Sequence, residues 1–474
     1  MTTQISTPEF KANAHRALAD AQLQKALGNL RAGFMQKRRA AVALLPEFEA
    51  LRDSARDIKD HTLAHLDLYL EAYEKRVSEA GGTVHFAATA AEASATIVEL
   101  CKARGAKTIV KGKSMVSEEI GLNAALEAAG LAVIETDLGE YIIQLRGEGP
   151  SHIIAPAIHL NKEQIAGDFR RVHADRPRER DLSDAGKLLA EARSELRGHF
   201  LAADVGITGA NFLVAETGTS IIVTNEGNGD LAQCLPKTHI VIASLEKIVP
   251  TLEDAAQVLR VLARSATGQE LSVYTTFSTG PRRRDDLDGP QDYHVVLVDN
   301  GRSAMLGTPY QDMLRCIRCG ACMNHCPVYD AVGGHAYGAV YPGPMGAVLT
   351  PVLIGIDKAG HLPNASTFCG RCESVCPVRI PLPKLMRHWR EREFERHLPP
   401  AAVRGALALW AFFATRPMLY RAATSAMVAV LAFFGSTKGR LRSLPLASAW
   451  TDHRDMPSPQ GGTFQARWRA RGRR

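Results

Sequence analysis

Apolar residues recur every three or four positions through the first part of the chain, as in LRAGFMQKRRAAVALLPEFEALRD at residues 30–53. This spacing places apolar side chains on one face of an α-helix. The same stretch is rich in Ala, Leu, Lys and Glu, which are good helix formers. Residues 1–64 are therefore predicted to form an N-terminal helical segment.

Between residues 65 and 300 the pattern changes to short apolar runs that alternate with helix-like segments. Residues 81–114 read as a strand, a helix and a second strand, the order of an α/β domain with a parallel sheet. LAVIETDLGEYIIQL and PSHIIAPAIHL continue this pattern, and strand-like runs resume after a polar, helix-prone stretch at 161–200. We predict one α/β domain over residues 65–300. The later strand-like runs are ITGANFLVAETGTSIIVTNEG, THIVIASLEKIV, SVYTTFSTGP and DYHVVLVDNGR.

The C-terminal part of the chain contains a long apolar stretch at 406–435. Arg416, Pro417 and Arg421 interrupt it, and its longest uncharged run, 422–437, is shorter than the roughly 20 residues that a spanning helix needs. We predict no transmembrane span, but two amphipathic or buried helices that meet at the proline. Packing on a core or a partner subunit is favoured, and a peripheral contact with a membrane surface stays open.

The excess of basic residues is confined to the C-terminal part of the chain. The 474 residues are 46% hydrophobic and carry a net charge of +7, but residues 401–474 hold 12 Lys or Arg against 2 Asp, leaving 45 against 48 before them. We therefore predict a globular chain with a basic helical tail at 401–474. No basic face interleaved with aromatic residues and no known nucleic-acid-binding module is present, so nucleic-acid binding is not predicted.

Cysteines give the strongest chemical signal. Seven of the nine follow C-x2-C-x2-C-x3-C-P, the spacing of two-cluster ferredoxins, in two motifs of which the second is incomplete. Ser366 stands where the second motif requires its first cysteine. The fourth cysteine of each such motif ligates the other cluster, so two crossing iron–sulfur sites are predicted within residues 301–400. The cysteines are Cys316, Cys319, Cys322 and Cys326 in the first motif, and Cys369, Cys372 and Cys376 in the second.

Zinc and disulfides are the alternatives. Structural zinc prefers two separated ligand pairs, which four cysteines within eleven residues match poorly. The number of cysteines is odd, and the first twenty residues lack the apolar core of a signal peptide, so we expect a reducing cytoplasm rather than disulfides. Cys101 and Cys234 lie alone in helix-like and strand-like surroundings and are predicted to be buried thiols.

Polar residues follow several of the predicted strands. Lys111 and Lys113, in KGKS, lie between a strand and a helix, where backbone amides suit an anion, although the segment is not a P-loop. Glu135 and Asp137 lie at another strand end, and Glu216 lies in a tight turn. Since α/β domains bind ligands at strand ends, these three acidic residues are weak catalytic candidates.

Turn formation and helix capping are an equally good explanation of these segments. Thr136, Asp137 and Thr217 are residue types that cap helices or stabilise turns through their own side chains. No Gly-rich nucleotide fingerprint opens a strand–helix–strand unit, so the sequence does not support a resident flavin or NAD.

Taken together, these motifs resemble the lactate-utilisation iron–sulfur protein LutB family, nearly end to end. The resemblance implies a LUD α/β domain of NagB/RpiA/CoA-transferase-like fold, an α-helical two-cluster ferredoxin-like domain and a helical tail characteristic of the family. The segments that carry it are VKGKSMVSEEIGLN, ETDLGEYIIQL, AETGTSIIVTNEGNGDL, RCIRCGACMNHCPVYDAVGGHAYGAVYPGPMGAVLTP, FCGRCESVCPV and LASAWTDHRDMPSPQGGTF.

The resemblance also implies a function. The chain would be the electron-transfer subunit of a complex that oxidises L-lactate to pyruvate, together with a LutA-like cysteine-rich subunit and a LutC-like LUD protein. Ser366 is no departure, because the family motif carries serine there too. The implied ligands are Cys316, Cys319, Cys322 and Cys376 for the first cluster, and Cys326, Cys369 and Cys372 for the second.

Cysteine spacing itself indicates electron transfer and says nothing about lactate. Two other functions stay open: the LUD domain is the catalyst and the clusters stabilise or sense, or the whole chain is an assembly scaffold. Both clusters are expected to be 4Fe-4S. For the second, the fourth iron must bind Ser366, water or hydroxide, or another side chain such as Cys101 or Cys234, or be absent as in 3Fe-4S.

Overall fold

The apolar runs in the middle of the chain form strands in the computed structural model, which describes residues 5–435, 439–444, 448–451 and 454–471. Six strands form a parallel sheet in the order β1-β10-β7-β4-β2-β3. The strands are β1 (Thr83–Ala87), β2 (Thr108–Lys111), β3 (Ala132–Glu135), β4 (Val205–Gly209), β5 (Phe212–Val214), β6 (Thr219–Thr224), β7 (Thr238–Ser244), β8 (Ile248–Val249), β9 (Tyr274–Ser278) and β10 (Asp292–Val298).

Strand β7 shows why this sheet forms. All seven of its residues are buried, because helices cover both faces of a parallel sheet and leave no strand face for polar residues. Edge strands β1 and β3 expose part of their residues. Over residues 80–300 the helices are α6 (Ala90–Ala103), α7 (Met115–Glu119), α8 (Leu122–Ala128), α9 (Leu138–Arg146), α10 (Lys162–Val172), α11 (Ala185–Ala202), α12 (Asn228–Cys234) and α13 (Leu252–Ala266).

The remaining strands form a second sheet in the order β8-β5-β6-β9. Strands β5 and β6 are an antiparallel hairpin whose tight turn contains Glu216, as the sequence predicts. Gly218 closes the turn with a φ of 70°, a left-handed conformation that favours glycine. The sequence pattern indicates these strands, but not that they leave the parallel sheet.

The predicted N-terminal helices are present, and they pack against the cysteine region. One hydrophobic core contains Leu27 and Phe48 from the N-terminal helices, and Met323 and Tyr329 from the cysteine region. The helices up to residue 64 therefore share a core with the cluster-binding part of the chain. The helix at Leu66–Glu79 follows the predicted segment and packs on the strands of the α/β domain instead. The helices of this part of the chain are α1 (Phe10–Ala19), α2 (Ala21–Leu30), α3 (Gln36–Ala43), α4 (Phe48–Ala64) and α5 (Leu66–Glu79), with a π-helical turn at Arg31–Met35.

The cysteine region, residues 301–393, is helical throughout its regular structure. Its helices are α14 (Ala321–Asn324), α15 (Pro327–Val332), α16 (Gly343–Ile354), α17 (Ile356–Ala359), α18 (Arg371–Ser374) and α19 (Leu382–Glu395). Short 3-10 helices in the chain lie at Thr7–Glu9, Leu245–Lys247, Ser303–Met305, Gln311–Arg315, His335–Tyr337 and Leu362–Ala365.

The prediction that PSHIIAPAIHL continues the strand pattern is wrong. This segment, residues 150–160, is an irregular loop. The segment begins with Pro150 and is interrupted by Pro156. His152 Nε2 lies 2.9 Å from the Oδ1 of Asn324, which stands between two cysteines of the first motif. Ile153 is buried in the core that contains the cysteine region, and the partly buried Ile154 and Ile158 pack against the same core.

Contacts divide the chain into two compact units, Met1–Glu393 and Phe394–Arg474. The second unit contains α20 (Ala401–Ala414) and α21 (Pro417–Gly435), which pack on each other and are separated at the predicted proline. It also contains a β11–β12 ladder (Arg440–Leu441 with Met456–Pro457), α22 (Ser448–Thr451) and α23 (Phe464–Arg471).

Helix α21 changes one argument made from the sequence. Its 19 residues are long and apolar enough, by length and composition, to cross a bilayer, so length alone does not exclude a span. One such helix is weak evidence for a membrane segment. Residues 436 and 437, the end of the uncharged run, lie outside the described residues.

Candidate cluster sites and the facing cavity

The two cysteine motifs have the same local backbone. In the first, Arg318 and Gly320 have φ values of 59° and 73°; in the second, Phe368 and Gly370 have values of 54° and 77°. A four-residue helix, α14 or α18, follows each glycine. This repeat puts Ser366 at the backbone position that Cys316 occupies in the first motif.

The thiols fall into two electrostatic neighbourhoods. Burial, with the nearby thiols of Cys376 and Cys316, raises the pKa of Cys319 to about 12. Burial also raises the pKa of Cys322 far above its usual range, with the thiols of Cys319 and Cys316 as its first neighbours and that of Cys372, from the second group, after them. A thiol held protonated in this way releases its proton when a metal binds.

The second neighbourhood contains the other three thiols. Burial and the thiols of Cys326 and Cys369 raise the pKa of Cys372 to about 12. Cys326 and Cys372 are buried, but Cys369 is exposed, so this group lies nearer to solvent than the first.

Sulfur spacing distinguishes these groups from a zinc site. Tetrahedral Zn–S bonds of 2.3 Å place sulfur atoms about 3.8 Å apart. Among the residues that the structure describes, no three of the cysteine sulfurs all lie within 4.8 Å of one another. The described thiols are thus not gathered as closely as the ligands of a single zinc ion.

A small cavity marks the second site, and Ser366 lines it together with Cys326, Cys369 and Cys372. The half-buried Ser366 accepts a hydrogen bond at Oγ from the Phe368 N–H, at 3.1 Å. The hydroxyl oxygen thus has a backbone donor and faces the same space as the three thiols.

Two arginines of the N-terminal helices donate hydrogen bonds to the backbone of the second motif. Arg52, only 3% exposed, donates from Nη2 to the carbonyl oxygens of Cys376 at 2.7 Å and Ser374 at 2.9 Å. Arg38 donates to the carbonyl oxygen of Val375 at 3.1 Å. These bonds fix the loop that carries the last cysteine.

The prediction of two isolated buried thiols is right for Cys101 and wrong for Cys234. Cys101 packs on the parallel sheet, and burial raises its pKa to about 12. Cys234, the last residue of α12, is exposed. Neither lines the cavity that contains Ser366.

A larger cavity of about 240 Å³ lies between the parallel sheet and the first cysteine motif. Gly112 and Gly209, just after β2 and at the end of β4, line one wall, and Arg318 and Cys319 line another. This is the carboxyl end of the parallel strands, the usual ligand position in α/β domains. Its charged lining residues are Lys113, Asp137, Glu226, Lys247 and Arg318.

A buried ion network lies beside this cavity. Arg302, 1% exposed, bonds Glu119 Oε2 at 2.6 Å and lies 3.1 Å from Glu246 Oε2, while Arg318 binds Glu246 Oε1 at 3.0 Å. Burial opposes ionisation of Glu246, but the two guanidinium groups lower its pKa to about 2. The network joins the ends of β7 and β10 to the first cysteine motif.

The acidic and basic candidates separate into different places. Lys111 and Glu135 form a buried pair, with Lys111 Nζ 2.7 Å from Glu135 Oε1 and 3.3 Å from Glu118 Oε1. Burial alone would lower the pKa of Lys111, but these carboxylates raise it. Burial, with Glu118 and Glu135 nearby, raises the pKa of Glu140 well above its usual range. The Lys111 ammonium provides the positive charge within this carboxylate group.

Asp137 and Glu216 have clear structural roles. Asp137 caps α9 by accepting from the backbone N–H groups of Gly139 and Glu140, and it also lines the larger cavity. Exposed Glu216 accepts from the N–H of Leu252 at 3.3 Å, at the start of α13. The structure does not bring Glu216 together with Glu135 or Asp137 at one cavity.

Sequence reasoning missed Lys247 and Arg318. Burial, aided by the Arg318 guanidinium, lowers the pKa of Lys247 to about 7. In the sequence, Lys247 follows a strand as one of many lysines, and only the distant residues that bury it mark it. The position of Arg318 between two cysteines was the one available signal.

Comparison with known protein families agrees with this arrangement. Residues 70–298 match the family model of the LUD domain, residues 312–380 match the 4Fe-4S dicluster domain, and residues 381–473 match the C-terminal domain of lactate utilisation protein B. The predicted order of an α/β LUD domain, an iron–sulfur domain and a helical C-terminal part is confirmed.

Individual relatives match along the whole chain. Lactate utilization protein B of Macrococcus caseolyticus is 44% identical over 98% of both chains, and that of Shouchella clausii is 44% identical over 99% of this chain and 98% of its own. An uncharacterized electron transport protein, YkgF, of Escherichia coli is 41% identical over 98% of this chain and 97% of its own.

A crystal structure of a DUF162 family protein from Deinococcus radiodurans covers 49% of this chain and 98% of its own. Its TM-score of 0.27 and identity of 15% carry no argument about the fold. The full-length matches, the dicluster domain and the paired cysteine motifs decide the assignment. The chain belongs to the lactate utilisation protein B family of iron–sulfur proteins.

Proposed function

We propose that the chain is the iron–sulfur electron-transfer subunit of a complex that oxidises L-lactate to pyruvate. The observation that carries this proposal is the shared wall of the larger cavity, where Arg318 and Cys319 of the first motif face the carboxyl ends of β2 and β4. A substrate in this cavity would lie next to a cluster ligand. L-Lactate loses two electrons and two protons on oxidation, and two clusters, when bound, supply two one-electron acceptors.

We assign four cysteines to the first cluster and three to the second. Two features support the division: the electrostatic neighbourhoods of the thiols and the small cavity lined by three cysteines and Ser366. The first set is Cys316, Cys319, Cys322 and Cys376, and the second is Cys326, Cys369 and Cys372.

The first cluster is proposed to be 4Fe-4S. The second is 4Fe-4S with an open or oxygen-bound corner at Ser366, or 3Fe-4S. The hydrogen bond from the Phe368 N–H to Ser366 Oγ supports an oxygen ligand at this corner. This N–H would stabilise a deprotonated serine, and in the neutral serine it leaves the hydroxyl proton free to point elsewhere.

The partners in this proposal are a LutA-like cysteine-rich subunit and a LutC-like LUD protein, in the cytoplasm. Helices α20 and α21 support partner binding, because apolar side chains such as Trp410 and Phe433 are exposed. Peripheral membrane contact is the second use of the same side chains. For the LUD domain, the parallel sheet with helices on both faces supports a NagB/RpiA/CoA-transferase-like class.

A LUD domain that is itself the catalyst is the second candidate function, favoured by the buried Lys111–Glu135 pair and its unusual carboxylate group. A scaffold without electron transfer is the third. Glu135 and Asp137 stay weak catalytic candidates; Glu216, away from both cavities, is the weakest.

One experiment separates these functions. The full chain, reconstituted anaerobically with iron and sulfide, is mixed with L-lactate with and without its partner subunits while the visible absorbance of the clusters is followed; D-lactate is the matched control. Bleaching only with partners supports the electron-transfer subunit. Bleaching by the chain alone supports the catalytic LUD domain, and lactate oxidation by the complex without any bleaching supports the scaffold.

A further inference from the structure

We propose that the larger cavity binds the carboxylate of a small organic acid and that the Lys247 ammonium holds it. The identity of the acid, L-lactate, rests on the function proposed above; the anion site rests on the cavity itself. A single water molecule needs roughly 10–15 Å³ of such space, so about 240 Å³ leaves room for a three-carbon acid and accompanying water.

Among the described residues, Lys247 is the buried cation of this cavity that has neither a hydrogen bond nor a salt bridge. It is 5% exposed and lines the cavity, and among the described residues its Nζ makes no hydrogen bond. Lys59, buried close by, instead donates to the carbonyl oxygens of Glu246 and Ile248. A buried charge without a partner is costly, so an anion in the cavity would remove this cost.

The other cations of the cavity are already engaged. Lys113 Nζ donates to the carbonyl oxygen of Ile154 at 2.9 Å, and Arg318 binds Glu246 at 3.0 Å. They add positive potential, while Lys247 keeps free donors for a carboxylate oxygen. Asp137 and Glu226 line the cavity as well and limit its net positive charge, which suits one carboxylate better than a phosphate.

The position of the cavity fits a substrate site. Gly112 and Gly209 line the cavity at the carboxyl ends of two parallel strands, and Cys319 places the first cluster site on the opposite wall. Thr224 lines the cavity too, and its hydroxyl offers a neutral donor and acceptor for the 2-hydroxyl or 2-keto oxygen of such an acid.

Lys247 has one competing role, that of a counter-charge to the first cluster. The Cys316 thiol lies close enough to act on the Lys247 ammonium electrostatically. A counter-charge would set the reduction potential of the cluster, whereas a ligand-binding lysine would set the affinity for the acid. The two roles therefore differ in what they change.

The test uses the full chain with reconstituted, oxidised clusters under anaerobic conditions. Pyruvate, which this reaction cannot oxidise further, and L-lactate are titrated by calorimetry against the unmodified chain, Lys247→Met and Lys247→Arg. Met keeps most of the length of the lysine side chain without a buried charge, so the variant should fold. Lys75→Met, at an exposed position of α5, is the matched control.

Loss of a charge-assisted hydrogen bond predicts a dissociation constant roughly 10- to 100-fold higher for Lys247→Met with both acids. Lys247→Arg should recover most of the affinity, and Lys75→Met should leave it unchanged. Iron and sulfide contents should be equal in all four proteins. An affinity unaffected by Lys247→Met, with a shifted reduction potential of the first cluster, would overturn the proposal in favour of the counter-charge.

The outcomes also separate this inference from the proposed function. If the complex oxidises L-lactate but the chain binds neither acid, or binds them independently of Lys247, the site is refuted and the function stands. If the chain binds pyruvate through Lys247 but the complex does not oxidise L-lactate, the site stands and the proposed function fails.

Discussion

Replacing Arg302 by Met should destabilise the first unit strongly. Arg302 bonds Glu119 through two guanidinium nitrogens, at 2.8 and 2.6 Å, and lies 3.1 Å from Glu246, with all three side chains at most 3% exposed. Removing one partner of a buried ion pair costs about 3–5 kcal/mol, because the remaining charge stays buried. Two carboxylates would lose a guanidinium here.

The loss in the free energy of unfolding can be converted into a change in melting temperature. At about 2.1 cal/mol/K per residue, the 393-residue unit has an unfolding entropy of about 0.8 kcal/mol/K. A loss of about 3–5 kcal/mol then lowers the melting temperature by about 4–6 °C. Differential scanning calorimetry of the cluster-loaded chain measures this shift.

The matched control is Arg104→Met. Arg104 pairs with Asp292 at 2.7 Å, nearly the same distance, but its side chain is 47% exposed. An exposed pair contributes about 0.2–1 kcal/mol, which corresponds to a shift of about 1 °C or less. Adding Glu119→Gln to Arg302→Met should recover part of the lost melting temperature, because it removes one buried carboxylate charge that no longer has a partner. Equal melting shifts for the two arginine variants would refute the reasoning.

Three further predictions concern the second cluster, acid stability and the tail. The unmodified chain should bind about seven iron atoms, or eight of which one is easily lost, and Ser366→Cys should bind about eight and lose iron more slowly in air. Two identical, equally air-resistant four-iron clusters in the unmodified chain would contradict this. His239 is 1% exposed and burial lowers its pKa to about 3, so the folded state stays neutral where the unfolded chain binds a proton. The free energy of unfolding should therefore fall as the pH drops below about 6.5, by up to about 1.4 kcal/mol per pH unit, and His239→Gln should remove this part of the slope in urea unfolding. Deletion of residues 402–474 should weaken co-purification with partner subunits more than it lowers cluster content, and unchanged co-purification would count against partner binding by the tail.

Local sequence patterns predicted the helices, strands and ligand loops of this chain better than they predicted which of these elements pack together. The cysteine spacing identified the ligand loops, and the apolar run of β7 identified a central strand, because both signals lie within a few consecutive residues. The PSHIIAPAIHL segment has strand-like apolar residues, yet it contacts helix α14, 172 residues away in the sequence, and adopts an irregular conformation there.

The candidate site depends on similar long-range contacts. Lys247 and Arg302 are ordinary basic residues in the sequence, and their burial follows from the packing of the sheet against the cysteine region. Glu216 shows the converse: its tight turn was predicted, but the turn lies away from the cavity where ligands would bind.

The hydrogen bonds from Arg52 to the loop that carries Cys376 have a consequence for synthesis on the ribosome. Arg52 and its carbonyl partner on Cys376 are 324 residues apart. At about 5–20 residues per second, helix α4 leaves the ribosome roughly 16–65 s before this partner does. During that interval α4 can pack on α13 of the α/β domain, but its contacts with the cysteine region cannot yet form. Because Cys376 belongs to the same late segment, both cluster sites can be completed only after the second motif has left the ribosome.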